Sequence, residues 1–219
     1  MDAVRQLGLE AYRLWLLQGF DDLLRSIGWN SLAGVDEAGR GCLAGPVVAA
    51  AVVLEGGHTL PGVDDSKLIP AADRDFLAKR IRATALSWGI GSASPAEIDR
   101  INILEATRLA MQRALSSLNV RLDCAVIDAV RLLACPFPVL SLVRGDSVSY
   151  SVACASILAK VERDRMMSEL DESYPQYGFR RHKGYAAAEH RQALQEFGPS
   201  PEHRLTFRSV LPRVVEVGS

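Results

Sequence analysis

The chain has 219 residues, of which 48% are hydrophobic and 23% are charged, and its formal net charge is −1. This composition suits one globular domain with a sizeable core and excludes a chain that is disordered throughout its body. The longest apolar run, residues 46–54, is too short to cross a bilayer, and no signal peptide is visible, so we expect a cytoplasmic protein. The four cysteines lack zinc-site spacing and are expected to be reduced thiols.

The first quarter of the chain predicts a helical extension followed by two strands. Apolar residues over 3–27 recur at helical spacing, which predicts one or two helices, interrupted at Gly19, that cover the body of the domain. Residues 32–37 and 46–54 predict strands. The second of them is apolar throughout, as expected for a strand covered on both faces.

The rest of the chain predicts alternating helices and strands. Ser94, Pro95 and Glu97 form a capping box with proline at the first helical position, which predicts the start of a helix that runs to residue 118. The other predicted elements are helices over 70–83, 150–170, 186–197 and 202–210 and strands over 86–92, 122–130 and 137–143. This order predicts an α/β domain with a mixed central β-sheet flanked by helices.

Two adjacent carboxylates, Asp36 and Glu37, end the first strand. Because neighbouring strand residues point to opposite faces, one of the two is expected to face something that needs negative charge. Gly39, Arg40 and Gly41 follow at once, and they offer backbone amides and a cation to an anion. The pair therefore indicates a metal-dependent site that acts on a phosphoester, although an ordinary strand exit gives the same local pattern.

Asp128 and Asp146 supply two further carboxylates. Asp128 interrupts an apolar strand, where an unpaired charge would cost several kcal/mol, so it either ends the strand or faces a cation. Asp146 precedes the long helix, where it can be an N-cap and still offer an oxygen to a metal. Carboxylates without cysteine or histidine partners suit Mg²⁺ or Mn²⁺, and two such ions can hold a phosphodiester. Asp164 is too far along the helix and, with Arg163 and Arg165, is predicted to form a solvated face.

Basic residues accumulate near the end of the chain. Residues 174–213 contain seven lysines and arginines against three acidic residues, which suits the approach of a polyanion as well as an ordinary solvated surface. Tyr185 ends a basic run and can stack on a base or sugar, or pack in the core. His182, His190 and His203 have no zinc spacing and are expected at the surface or near phosphates.

The motifs, taken in order, closely resemble the ribonuclease HII family, the prokaryotic type 2 ribonucleases H. The resemblance covers about residues 32–210 and rests on an ordered set of blocks: GVDEAGRG at 34–41, DSKL at 65–68, EID at 97–99, ID at 127–128, GD at 145–146, ASILAKV at 155–161, HKGY at 182–185 and GPSP at 198–201.

The resemblance implies a ribonuclease H-like fold and a set of site residues. The expected catalytic and metal-binding carboxylates, for Mn²⁺ or Mg²⁺ and two ions during catalysis, are Asp36, Glu37, Asp128 and Asp146. The expected substrate-binding residues are the GRG loop (Gly39, Arg40 and Gly41), which senses the 2′-hydroxyl, together with Tyr185, Ser66 and Lys67. The implied division is a helical extension (1–31), a catalytic domain (32–213) whose C-terminal helical region from residue 171 binds substrate, and a tail (214–219).

The implied activity is hydrolysis of RNA in RNA–DNA hybrids and cleavage 5′ to single ribonucleotides in duplex DNA, leaving 3′-hydroxyl and 5′-phosphate ends. Such an enzyme serves ribonucleotide excision and primer removal, and we expect it to be a monomer. Cys42, Ala129 and Arg144 depart from the residues usual in the family but remove no ligand. A DNA junction resolvase of the same fold and a non-catalytic hybrid-binding module are the alternatives.

Overall fold

The structure is a computed structural model that describes residues 2–57, 59–64, 66, 69–132 and 135–211. Its helices are α1 (Asp2–Ser26), α2 (Ala71–Thr84), α3 (Pro95–Ser116), α4 (Tyr150–Ser173), α5 (Phe179–His182) and α6 (Ala188–Phe197). Its strands are β1 (Leu32–Ala38), β2 (Val47–Val53), β3 (Ser87–Ala93), β4 (Cys124–Asp128) and β5 (Val139–Leu142). The predicted tail, residues 214–219, lies outside the described residues.

The strands form one mixed sheet in the order β3-β2-β1-β4-β5. β2 runs antiparallel to its neighbours β1 and β3, whereas β4 and β5 run parallel to β1. The predicted mixed sheet is therefore confirmed. The parallel arrangement brings the carboxyl ends of β1 and β4 to the same edge of the sheet, where a site can form.

Helices cover both faces of the sheet. α3 packs on one face through Ala106, Ala110 and Met111, against inward residues of β1, β2 and β4. α4 packs on the other face, where its small and aliphatic first half is buried together with residues of α1 and α2. Burial of β2 on both faces explains why its sequence is apolar throughout.

The amino-terminal region is a single helix. α1 continues through Gly19, so the predicted interruption there is wrong. Leu14 and Leu17 pack into the core shared with α4, and Leu24 packs against β1 and β4, so α1 covers the body as expected. Tertiary packing on both sides of Gly19 outweighs the roughly 1 kcal/mol by which glycine weakens a helix. No helix in the described part of the chain is long and apolar enough to cross a membrane.

Two other helix predictions need correction. α3 has the predicted capping box at Ser94 and Glu97, but Asn102, with φ +66°, breaks its helical backbone. Residues 202–210 form turns rather than a helix. The amides of Leu205 and Thr206 donate to the Asp99 carboxylate at 2.9 and 3.0 Å, which holds this segment against α3 instead of in a helical hydrogen-bond pattern.

Candidate active site

The carboxyl ends of β1 and β4 bring Asp36 and Asp128 together. Val35 pairs with Ile127 in the parallel register, so the two aspartates follow side by side at the same edge. Asp36 is only 5% exposed, whereas Asp128, the last residue of β4, is half-buried. A strand end that faces a cleft thus explains the charge that interrupts the apolar sequence of β4.

Asp36 lies in an electrostatically unfavourable place for an anion. Burial raises the pKa of its carboxyl group well above the usual value, and the charges of Glu37 and Asp128 raise it further. The Glu37 amide, which donates to Asp36 Oδ1 at 2.7 Å, and the Ser156 hydroxyl oppose this shift only in part. A divalent cation at this edge would offset both the burial and the repulsion.

Asp146 reaches the same edge from the chain that follows β5. The amide of Gly145 donates to Asp128 Oδ1 at 2.7 Å, so the residue just before Asp146 is fixed to the end of β4. Asp146 is 6% exposed and belongs to a short 3-10 turn over Gly145–Ser147. The N-cap of α4 is Ser149, so the alternative interpretation of Asp146 as the N-cap is wrong.

The donor chemistry fits a hard divalent cation. No group of three or more histidine, cysteine, aspartate or glutamate side chains is gathered closely enough to cage a metal among the residues that the structure describes. Magnesium usually takes only one or two carboxylates and completes its shell with waters and substrate phosphates. Paired Asp36 and Asp128, flanked by Glu37 and Asp146, match that requirement, and Glu37 also contacts Arg40 Nη1 at 3.2 Å.

The GRG loop is held from behind by two buried arginines. Arg204 donates through Nη2 to the Gly39 carbonyl at 2.7 Å and through Nη1 to the Arg40 carbonyl at 2.9 Å. A Cβ atom on Gly39, whose φ is +94°, would lie 1.9 Å from Nε of Arg163. Only glycine therefore allows this contact, and Arg204 fixes the carbonyls of Gly39 and Arg40.

Arg163 joins the loop region to the segment that carries Tyr185. It donates to the carbonyls of Pro46, Ala44 and Lys183 at 3.1, 3.1 and 2.8 Å. The prediction that Arg163 belongs to a solvated face is therefore wrong. Arg163 follows Ser156 and Ala159 on the buried stripe of α4, and this helical spacing was the signal that could have placed it in the core.

Tyr185 lies beside this arginine, and the residue is 47% exposed. The ring centroid is 6.0 Å from Arg163 Cζ and 6.0 Å from Lys160 Nζ. The hydroxyl group meets Cys42, and burial raises the pKa of Tyr185. An aromatic ring near two cations, on a residue that is about half exposed, can stack on a sugar or base, so the alternative of pure core packing does not describe it.

A buried imidazole pair supports the backbone of Tyr185. His190 Nδ1 donates to the Tyr185 carbonyl at 2.8 Å, so its Nε2 accepts, 3.0 Å from Nε2 of His203. The Ser200 amide donates to Nδ1 of His203 at 2.9 Å, which leaves the proton of that ring on Nε2. The pair is thus neutral, and burial lowers the pKa of His203 to about 4. The expected surface position is wrong for both residues.

The two expected phosphate contacts have different outcomes. Lys67 lies outside the described residues. Ser66 is buried, and its hydroxyl oxygen is 2.8 Å from that of Ser156, which in turn hydrogen-bonds Asp36. Ser66 therefore lies behind the four carboxylates Asp36, Glu37, Asp128 and Asp146, which we call the carboxylate edge.

The chain is similar to known ribonucleases in sequence and in structure. The family model for ribonuclease HII matches residues 33–210. Ribonuclease HII of Geotalea daltonii is 49% identical over 208 residues, which cover 95% of this chain and 96% of that protein. Ribonuclease H2 from Pyrococcus horikoshii has a TM-score of 0.72 and 26% identity, and the match covers 82% of this chain and 95% of that one.

A more distant structure shares the fold alone. Bst-RNase HIII, solved in complex with Mn²⁺, has a TM-score of 0.66 and 21% identity, over 85% of this chain and 70% of that one. Together with the paired carboxylates and the GRG loop, the family match identifies the activity. The chain belongs to the ribonuclease HII family, the metal-dependent endonucleases that cleave RNA in RNA–DNA hybrids and ribonucleotides embedded in DNA.

Proposed function

We propose that Asp36, Glu37, Asp128 and Asp146 bind Mn²⁺ or Mg²⁺, with two ions during catalysis, and that the enzyme cuts 5′ to the ribonucleotide to leave 3′-hydroxyl and 5′-phosphate ends. The observation that carries this proposal is the pairing of buried Asp36 with Asp128 at the ends of parallel strands. When bound, such ions activate water and offset the charge that develops on the phosphoryl oxygens.

The chain itself supplies position and selectivity. The GRG loop, with its carbonyls held by Arg204, presents backbone amides to the 2′-hydroxyl and so separates RNA from DNA. Tyr185 stacks on the sugar of the nucleotide that follows the ribonucleotide. Because Arg163 bonds the carbonyl of Lys183 and abuts Gly39, the loop and the segment that carries Tyr185 share one support.

Exposed basic side chains guide the substrate phosphates. Arg40 is exposed beside Glu37, and Arg180 and Arg181 are exposed on α5. Lys160, between Tyr185 and Asp164, adds a cation next to the expected sugar position. Lys67 completes the proposed phosphate contacts, whereas buried Ser66 supports Asp36 through Ser156 instead of contacting a phosphate. We further propose that the enzyme acts as a cytoplasmic monomer in ribonucleotide excision and primer removal.

The test compares wild type with Asp36→Asn on three duplexes: one with a single ribonucleotide, one RNA–DNA hybrid and one all-DNA control. We expect wild type to cut the first two with Mg²⁺ or Mn²⁺ and to leave the third intact. The variant should lose activity by about 10³-fold, because a ligand for the ions is gone.

The same assay, with an all-DNA four-way junction added as a fourth substrate, separates the alternatives. Cleavage of an all-DNA four-way junction, with no need for a 2′-hydroxyl, would favour a resolvase. Hybrid binding without turnover in Mn²⁺ would favour a binding module. Equal cleavage by wild type and Asp36→Asn would show that Asp36 is not a metal ligand.

A further inference from the structure

The amino-terminal helix α1 places a buried carboxylate behind the active site. α1 lies outside residues 33–210, the part of the chain that the family model matches. Asp21 on this helix is 1% exposed, whereas its neighbour Asp22 is exposed and pairs with Arg25 Nη1 at 2.8 Å. Leu24, one turn later, packs in a small apolar cluster with Leu32, Cys124, Val126 and Val152, which anchors this turn of α1 to β1, β4 and α4.

Asp21 receives three hydrogen bonds at the first turn of α4. Its Oδ1 accepts from the Ser149 hydroxyl at 2.6 Å, and its Oδ2 accepts from the Ser151 amide and hydroxyl at 2.9 and 2.7 Å. A negative charge at a helix amino terminus is also stabilised by the helix dipole. A buried carboxylate with this many donors fixes the position of both serines, because any shift would leave its charge unsatisfied.

Ser149 connects this contact to the catalytic edge. Its amide donates to the Gly145 carbonyl at 2.8 Å, and the Gly145 amide donates to Asp128 Oδ1 at 2.7 Å. Asp146 follows Gly145 in the same turn. Hydrogen bonds joined through the backbones of Ser149 and Gly145 therefore connect α1 to Asp128. Asp146, the next residue after Gly145, is held by the same connection.

Close packing leaves this connection little freedom. A Cβ atom on Gly34, which precedes Asp36 by two residues on β1, would lie 2.1 Å from the carbonyl carbon of Ser151. The first turn of α4 thus rests directly on the backbone of β1. A Cβ on Gly145 would lie 3.3 Å from Cα of Asp128, so the turn that carries Asp146 also packs tightly on β4, although less closely.

We propose that Asp21 is a positioning residue for the metal site. It holds Ser149, and through Ser149 it holds the Gly145–Ser147 turn, so that Asp146 and Asp128 face the ions together. The proposal rests on the proposed role of Asp146 as a metal ligand. It also gives α1 a function beyond covering the core: the helix completes the support of the active site.

The test measures metal binding directly, by calorimetric titration of the substrate-free protein with Mn²⁺, beside the Mn²⁺ dependence of cleavage. Asp21→Asn removes the charge and leaves one acceptor oxygen, which can face either the Ser151 donors or the Ser149 hydroxyl but not both, and Asp22→Asn is the matched control. We expect Asp21→Asn to weaken Mn²⁺ affinity by about 10-fold and to lower kcat, with KM for the duplex unchanged. Asp22→Asn should match wild type.

An Asp146→Asn variant separates the two possible failures. If Asp146→Asn binds Mn²⁺ as wild type does, the assignment of Asp146 as a ligand is wrong, and the role of Asp21 falls with it. In the other case, Asp146→Asn binds Mn²⁺ more weakly than wild type. If Asp21→Asn then melts at a lower temperature but keeps wild-type Mn²⁺ affinity and kcat, Asp21 serves stability alone and the inference is overturned.

A serine pair covers the case in which Asp21→Asn does not fold. Ser149→Ala cuts the link between Asp21 and the Gly145–Ser147 turn, whereas Ser151→Ala removes one hydroxyl but leaves the Ser151 amide and the link in place. The proposal expects weaker Mn²⁺ binding in Ser149→Ala alone. Equal Mn²⁺ affinity in the two variants would overturn it.

Discussion

The carboxylate edge and the GRG loop adjoin each other in the chain but are stabilised in opposite ways. At the edge, the charges of Glu37 and Asp128 add to burial in opposing ionisation of Asp36. Behind the loop, Arg204 donates to backbone carbonyls, and the neutral His190 and His203 hydrogen-bond each other and backbone groups. The edge therefore needs a cation to be stable in its charged form, whereas the loop is already organised before substrate arrives.

The largest effect that this comparison predicts is loss of catalysis without loss of duplex binding. Asp128→Asn keeps an oxygen that accepts from the Gly145 amide and removes only the charge. We expect cleavage to fall by about 10³-fold, because an anion that holds the ions is missing. Fluorescence anisotropy of a labelled duplex should show affinity close to wild type. Asp75→Asn, at an exposed site on α2, is the control. Cleavage by Asp128→Asn at the wild-type rate would show that Asp128 is not a metal ligand.

A smaller effect should separate the loop side from the metal edge. Tyr185→Ala removes the exposed ring and should lower cleavage at a single ribonucleotide by about 10–100-fold, the equivalent of one stacking contact. Tyr185→Phe keeps the ring and should stay near wild type. Calorimetry should give unchanged Mn²⁺ affinity for both variants. Weaker Mn²⁺ binding by Tyr185→Ala would show that the two regions are not independent.

The buried imidazoles predict that acid destabilises the loop side. The pKa of His203 is about 4 in the folded protein and about 6.5 in the unfolded chain, so the unfolded state binds its proton first as the pH falls. The contribution of neutral His203 to stability is present above pH 6.5 and is lost between about pH 6.5 and 4. Urea unfolding at pH 7 and at pH 5 should show that the free energy of unfolding falls less for His203→Gln than for wild type. An equal loss in both would exclude His203 as the titrating group.

The smallest predicted effect concerns the backbone at the metal edge. Ala129, directly after Asp128, has φ +50°, a conformation that favours glycine. Ala129→Gly should raise the free energy of unfolding by about 0.5–1 kcal/mol, after the greater entropy of glycine in the unfolded chain is subtracted. Ala96→Gly, exposed on α3, should instead lower it by about 1 kcal/mol. Urea unfolding measures both, and a destabilised Ala129→Gly would contradict the strain at this position.

The sequence predicted the carboxylate edge better than its support. Asp36 and Asp128 stand out as charges in apolar strand sequences, which marked both as candidate metal ligands, and the structure brings them side by side because β1 and β4 run parallel. The pattern also predicted the mixed sheet and the capping box of α3. These features depend on local periodicity and on residues close together in the chain.

The support of the loop was mispredicted because its partners are backbone groups of distant segments. The Arg163 side chain bonds carbonyls about 117–119 residues earlier, and no sequence pattern marks a carbonyl as an acceptor. The surface expectation for His203 failed because its partners, His190 and the Ser200 amide, become neighbours only in the fold. Asp21 belongs to the same class, since it meets Ser149 from 128 residues away.

Thermal unfolding of wild type and Asp36→Asn, each with EDTA and with Mn²⁺, tests the central claim most directly. Without metal, Asp36→Asn should melt above wild type, because a buried charge beside Glu37 and Asp128 is gone. With Mn²⁺ at about 100 times its dissociation constant, wild type should gain about 5–10 °C and the variant little. A wild-type protein that gains nothing from Mn²⁺, or a variant that gains as much as wild type, would contradict a cation site centred on Asp36.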